Sequence, residues 1–314
     1  MENEVLNLYK LGKLSLNETL DEIIKDKNQE SMDIDRKKEI NESKKNLENI
    51  IKELDSLIGL KNVKSLVKEI QAFVEIQEKR KEANLLTDPV VLHMIFKGSP
   101  GTGKTTVARL IGKILKEMGV LEKGHIVEVE RADIVGEYIG HTAVKVKQQI
   151  KKALGGILFI DEAYSLARGG EKDFGKEAID ALVKAMEDNK DNLVLILAGY
   201  NDEMENFLKI NPGLKSRFPI HVEFRDYSIN ELINIAEEMA NKKEYKLTDK
   251  AIHKLETILE AKNNHKNIGN ARFVRNMVER SIRKQAVRLQ GKSSLNRDDL
   301  IFIKEEDIEG DDIY

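Results

Sequence analysis

The chain has 314 residues, 40% apolar and 34% charged, which is length for about two domains and apolar content for a sizeable core. It has no cysteine, which excludes disulfides, thiol catalysis, iron–sulfur clusters and cysteine zinc sites, and none of its six His pair at metal-ligand spacing. No run approaches the roughly 18 apolar residues of a spanning helix, no secretory signal opens the chain, and a net charge of −3 recruits neither nucleic acid nor membrane.

Four Pro, no Trp and many Lys, Glu, Leu and Ile predict a soluble, cytoplasmic, helix-rich protein. Residues 1–53 read as a helical arm with a linker. Ser15 and Glu18 have capping-box spacing, and Leu16, Leu20, Ile23 and Ile24 follow a helical period. Asn28 to Lys38 is charged and lacks a stripe, so it reads as the linker. Leu47, Ile50, Ile51 and Leu54 form a second apolar face.

From residue 54 to 226 the pattern alternates. Val63–Ala83 is helical in composition. Val90–Phe96 is a short apolar run suited to a buried parallel strand. Further strands are predicted at Ile126–Val129, Ile157–Ile160, Leu193–Leu197 and His221–Phe224. Helices are expected at Val107–Met118, Ala143–Leu154 and Lys176–Glu187. Strands alternating with helices imply an α/β unit, a parallel sheet covered on both faces. After Tyr227 no further strands are expected. Asn230–Lys243, Asp249–Lys262 and Ala271–Leu289 read as helices of an all-α unit over 227–304, followed by an acidic tail over 305–314.

Gly98-Ser99-Pro100-Gly101-Thr102-Gly103-Lys104-Thr105 matches G-x-x-x-x-G-K-[ST] between a strand and a helix, with Thr106 next. Glycines let backbone N–H groups turn inward and cradle phosphate oxygens. Lys104 is placed to reach the β- and γ-phosphates, and the Thr105 hydroxyl to ligate Mg²⁺. Ile157-Leu-Phe-Ile-Asp161-Glu162 is an apolar strand ending in two carboxylates. Adjacent strand residues point to opposite faces, so the two acids are expected to do different jobs. Asp161 is assigned to the Mg²⁺ shell and Glu162 to the attacking water. Leu193–Ala198 runs into Gly199-Tyr200-Asn201, where the Asn201 amide could bond the lytic water or γ-phosphate. Asn211-Pro-Gly-Leu-Lys-Ser-Arg217 follows.

Together these motifs resemble the AAA+ ATPases over roughly Leu54 to Leu289. Leu57-Ile58-Gly59-Leu60, Phe159-Ile-Asp-Glu-Ala-Tyr-Ser-Leu166, Leu197-Ala-Gly-Tyr200 and Gly269-Asn-Ala-Arg272 are similar to one subfamily in particular. It holds red-type Rubisco activase, stage V sporulation protein K and the type VII secretion ATPase. The run Asp161-Glu-Ala-Tyr-Ser-Leu-Ala-Arg-Gly-Gly170 looks most like its sporulation member. Arg225 stands where the family pattern would have Pro.

The resemblance implies a P-loop αβα domain with a helical lid, ATP and Mg²⁺ as ligands, and a ring, a hexamer, in which Arg217 reaches a neighbour's ATP. It implies Asn201 as sensor 1, and Arg272 as the lid arginine on the γ-phosphate, with Arg275 the alternative. It also sets Ile58 and Gly59 near the adenine, and Tyr138 and Ile139 in a pore loop, Gly136–Gly140, gripping a protein client. Arg168–Gly175 resembles a second such loop. Without the resemblance, Tyr138 would read as core. Two alternatives stay open: a nucleic-acid machine of helicase or clamp-loader type, suggested by the basic run Lys262–Lys292, and an ATP-gated scaffold.

Overall fold

Short apolar runs such as Leu193–Ala198 can be strands only if both their faces are covered. A computed structural model shows that arrangement. It describes residues 41–87, 91–138, 140–168, 173–263, 269–292 and 294–309, with residues 11, 13 and 38. The expected capping box at Ser15 and Glu18 and the following stripe lie outside the described residues. The chain divides into two units, Met1–Lys52 and Glu53–Tyr314. In the first, residues 41–52 are helical, and Leu47, Ile50 and Ile51 are less exposed than most of their neighbours.

The second unit begins with helical residues 53–56 and continues with α1 (Lys61–Glu82), β1 (Met94–Gly98), α2 (Lys104–Glu117) and β2 (Ile126–Val129). Next come α3 (Arg131–Ile134), α4 (His141–Ala153), β3 (Gly156–Ile160), a 3₁₀ turn (Ala163–Ala167), α5 (Gly175–Asp188) and β4 (Leu193–Gly199). Then follow α6 (Asn201–Ile210), α7 (Pro212–Arg217) and β5 (Ile220–Phe224). The helical part holds α8 (Ile229–Asn241), α9 (Asp249–Asn263), α10 (Asn270–Leu289) and α11 (Arg297–Ile301).

The five strands form one parallel sheet in the order β2-β3-β4-β1-β5. Every residue of β3 and β4 is buried, which is why both read as unbroken apolar runs. Ile160 pairs with Leu197, and Lys97 with Gly199, so β3, β4 and β1 end side by side. Three successive neighbours therefore deliver their following loops to one edge, the carboxyl edge where open α/β sheets bind ligands.

Two features depart from the sequence reading. Strands do not stop at Tyr227: β6 (Lys246–Leu247) pairs in parallel with β7 (Phe302–Ile303) within the otherwise helical part. Two-residue strands carry too little alternation to be read from sequence. Residues 305–309, expected to begin a tail, pack onto α10, with Asp307 and Ile308 buried. Asp307 accepts from Arg288 Nε at 2.8 Å and Nη2 at 2.9 Å, while Glu309 pairs with Lys284 at 2.7 Å and Arg280 at 3.1 Å. Much of the basic face of α10 thus has acidic partners within its own chain.

Candidate active site

The loop from Gly98 to Gly103 turns sharply into α2, with Gly101 and Gly103 in left-handed conformations at φ +73° and +96°. Lys104 opens that helix and folds back over the loop. Its Nζ donates to the carbonyls of Gly98 at 2.8 Å and Ser99 at 2.9 Å. Burial pushes the Lys104 ammonium below its usual range, Asp161 opposes that shift, and Arg272 adds to it. Thr102 is fully buried and its hydroxyl donates to Ser99 O at 2.8 Å, bracing the turn from inside.

A cleft of about 390 Å³ lies over this loop. Pro100, Gly101, Gly103, Lys104, Thr105 and Thr106 form one wall, and Asp161 and Glu162 another. Ile58 lines it from the segment before α1, and Arg272 and Arg275 from α10. Asp161 and Glu162 do not alternate across a sheet, as the strand rule led us to expect. Strand β3 ends at Ile160, and Glu162 takes a left-handed conformation, φ +47°, so both acids border the same cleft. Asp161 Oδ1 accepts from the Glu162 N–H at 2.9 Å, closing that turn. A non-glycine residue held there costs about 1–3 kcal/mol, and such strain collects at functional sites.

Ile58 is held by a second unusual turn. Gly59 and Leu60 are both left-handed, and Lys64 Nζ donates to the carbonyls of Asp55 at 2.8 Å and Leu57 at 2.6 Å. Gly59 lies behind the wall, where a Cβ would meet Glu231 and Tyr227. Gly98, Ser99 and Thr102 support the loop and do not line the cleft.

Three predicted site residues lie elsewhere. Asn201 is exposed at the first turn of α6, whereas its neighbours Gly199 and Tyr200 line the cleft. Arg217, at the end of α7, is outside the cleft and pairs with Glu187 at 2.7 Å. Tyr138 is 65% exposed, its ring edge-on to His141, which removes the core reading of that residue. Its neighbour Ile139 lies outside the described residues, as do 169–172 of the second loop. Gly136, at the start of that loop, is tightly packed, since a Cβ would lie 2.6 Å from His141 Cβ.

Ile235, Glu238, Met239, Lys242 and Tyr227 also line the cleft and carry no sequence signal of their own, while Leu57, Leu60, Tyr200 and Ala271 belong to the motifs already quoted. Tyr227 Oη donates to Thr102 O at 3.3 Å, and burial, with Glu231 nearby, raises its hydroxyl to about 12. A helical period marks Ile235 and Met239 only as a face of α8, with Lys242 at its C-cap, without saying what that face covers.

Among the described residues no cluster of three or more His, Asp or Glu could hold a metal alone, and no helix is long and apolar enough to cross a membrane. The cleft instead offers a phosphate cradle, a buried lysine, two hard oxygen donors and a lid arginine. The chain is similar to known proteins over most of its length. The ATPase family associated with various cellular activities, AAA, matches residues 94–226, and the AAA lid domain matches 228–313. Stage V sporulation protein K of Bacillus subtilis is 55% identical over 265 residues, spanning 83% of this chain and 82% of that protein. Protein CbbX of Cereibacter sphaeroides is 45% identical, covering 84% and 87%. The chloroplastic ribulose bisphosphate carboxylase/oxygenase activase of Cyanidioschyzon merolae is 44% identical, covering 83% and 91%. A solved mutant of Thermotoga maritima RuvB, 21% identical, superposes with a TM-score of 0.52 over 81% of this chain and 69% of that one, a likeness of fold. The chain belongs to the AAA family, and is an ATP-binding, ATP-hydrolysing P-loop enzyme of the sporulation protein K and CbbX type.

Proposed function

We propose that this ATPase works as a ring, a hexamer, that binds ATP with Mg²⁺ at subunit interfaces and remodels a protein client through its central pore. The observation that carries this reading is the split among the charged groups. Lys104, Asp161, Glu162 and Arg272 line one cleft, whereas Arg217 does not line it and pairs with Glu187 instead. A finger that does not line its own cleft is suited to serve a neighbour's.

In this reading residues 54–226 form the catalytic domain and 227–304 the lid. Lys104 and the loop amides hold the phosphates, with Arg272, or Arg275 one turn later, closing on the γ-phosphate. The Thr105 hydroxyl and Asp161 carboxylate are hard oxygen donors facing one space, which fits a magnesium ion completed by phosphate oxygens and water. Bound there, the ion would neutralise charge on the transferring phosphoryl group. Glu162 takes the proton of the attacking water, and the neighbour's Arg217 stabilises the charge that develops. Asn201 would need its side chain to turn inward to help orient that water.

Tyr138, presented at a loop tip, offers apolar area and a π face to any polypeptide, which suits a sequence-tolerant grip. The relatives' names supply two client settings, spore formation and activation of ribulose bisphosphate carboxylase; the stronger likeness favours the first, in a cytoplasmic protein. Purifying Glu162→Gln with ATP and Mg²⁺ tests the reading. A hexamer by native mass spectrometry that retains a protein partner supports it, and a nucleotide-bound monomer that hydrolyses ATP at the parental rate would overturn it.

A further inference from the structure

Phosphate is cradled by the N–H groups of a P-loop, and here the carbonyl side of that loop is also fully engaged. Three consecutive carbonyls accept hydrogen bonds from the lid side. Pro100 O accepts from Asn270 Nδ2 at 3.3 Å, Gly101 O from the Ala271 N–H at 3.1 Å, and Thr102 O from Tyr227 Oη at 3.3 Å. The contact leaves no room for a side chain. A Cβ on Gly101 would lie 2.3 Å from Gly269 O and 2.9 Å from Arg272 N. Gly101 is not one of the residues fixed by G-x-x-x-x-G-K-[ST], so its glycine answers to the lid as well as to phosphate.

Asn270 is the centre of this contact. It is 4% exposed and left-handed, φ +49°. Besides Pro100 O, its Nδ2 donates to Asp226 Oδ1 at 2.9 Å, and its Oδ1 accepts from the Tyr227 N–H at 3.0 Å. A primary amide has two N–H donors and a carbonyl acceptor, and all are used on two segments, the exit from β5 and the phosphate loop, tying both to the start of α10. Arg272 follows two residues later on α10. Any rotation of α10 away from the loop therefore breaks this set together and withdraws Arg272 from the cleft.

We propose that Asn270 is a positioning residue that latches α10, and Arg272 with it, onto the carbonyl side of the phosphate loop, so that nucleotide leaves only when the latch opens. The proposal rests on nucleotide occupying the cleft over Lys104. The test uses the full chain, a fluorescent ATP analogue chased with unlabelled ATP, and steady-state kinetics. Asn270→Gly keeps the left-handed backbone and removes the amide. Its analogue dissociation should quicken about tenfold or more, with a rise in KM that exceeds any fall in kcat. A merely structural residue would instead lower kcat as active molecules are lost, leaving KM and dissociation within about twofold of parental; that result overturns the latch. Tyr227→Phe removes only the bond to Thr102 O and should quicken dissociation about two- to fivefold. If Asn270→Gly does not fold, Tyr227→Phe decides, and unchanged dissociation rejects the latch. If Lys104→Ala binds the analogue as tightly as the parent, the cleft is not the nucleotide site, and the latch falls with it.

Discussion

Arg217 Nε lies 2.7 Å from Glu187 Oε1, the arginine side chain 39% and the glutamate 56% exposed, and Arg217 Nη1 also donates to Gly213 O at 3.0 Å. An ion pair this open contributes about 0–1 kcal/mol. Glu187 therefore orients the guanidinium without holding it, and a better anion would take its place. Glu187→Ala should leave ATP turnover within about twofold of parental and stability within about 0.5 kcal/mol. Arg217→Ala should slow turnover by roughly 10³ to 10⁵ while ATP still binds. Steady-state hydrolysis beside equilibrium nucleotide titration checks both.

Glu162 separates chemistry from fold. In the proposed role Glu162→Gln preserves shape and loses the base, so ATP should remain bound while turnover falls by about 10² to 10⁴. Glu162→Gly removes the base and also relieves the left-handed backbone. It should be inactive, with stability unchanged or raised by about 1 kcal/mol. Urea unfolding and phosphate release on the two proteins test this pair of outcomes. A glycine variant that is both inactive and clearly destabilised would mean that Glu162 serves the fold.

Tyr138 contacts His141 at its edge and otherwise faces solvent. Tyr138→Ala should change stability by no more than about 0.5 kcal/mol, against about 3–5 kcal/mol for a buried aromatic. Basal hydrolysis should persist, and any stimulation by a polypeptide client should be lost. Melting curves and basal assays can be recorded before a client is known. Loss of basal hydrolysis in a stable variant would place Tyr138 in the ATP cycle and not in client grip.

Asp307 is 1% exposed and accepts from two Arg288 nitrogens and from the Lys304 N–H at 2.8 Å. Removing Asp307 leaves Arg288 with Glu306 at 3.3 Å and Phe302 O at 3.4 Å, so the loss is that of charge-assisted hydrogen bonds, about 1.5–3 kcal/mol. Asp307→Ala should therefore lower the unfolding free energy by that amount in urea titrations. The same packing bears on the nucleic-acid alternative. Arg288, Lys284 and Arg280, three of the six basic residues of α10, already have acidic partners in Asp307 and Glu309, and added DNA should leave hydrolysis unchanged.

The sheet was legible because its central strands β3 and β4 are buried on both faces, so Ile157–Ile160 and Leu193–Leu197 are apolar without interruption. The phosphate loop was legible because its chemistry fixes residue type at each position. Asp161 and Glu162 were found for the same reason, but their shared orientation was not, since the left-handed turn at Glu162 comes after the strand rule has stopped applying. Asn270 and Tyr227 carry roles that depend on residues 170 and 125 positions away in the chain, and no local pattern encodes that. Helix α6 went unread because Asn201–Ile210 is polar on most of its surface, with only Met204, Phe207 and Leu208 buried.

Mixing two inactive variants tests the ring reading most directly. Arg217→Ala keeps a nucleotide site but lacks the finger, and Lys104→Ala keeps the finger but cannot hold ATP. Neither should hydrolyse ATP alone at more than a small fraction of the parental rate. Combined under conditions where subunits exchange, a Lys104→Ala subunit can lend Arg217 to the intact cleft of its neighbour, so hydrolysis should partly return and should vary with the mixing ratio. Co-assembly demonstrated by native mass spectrometry with no return of hydrolysis would contradict a shared site and return Arg217 to a role within its own subunit.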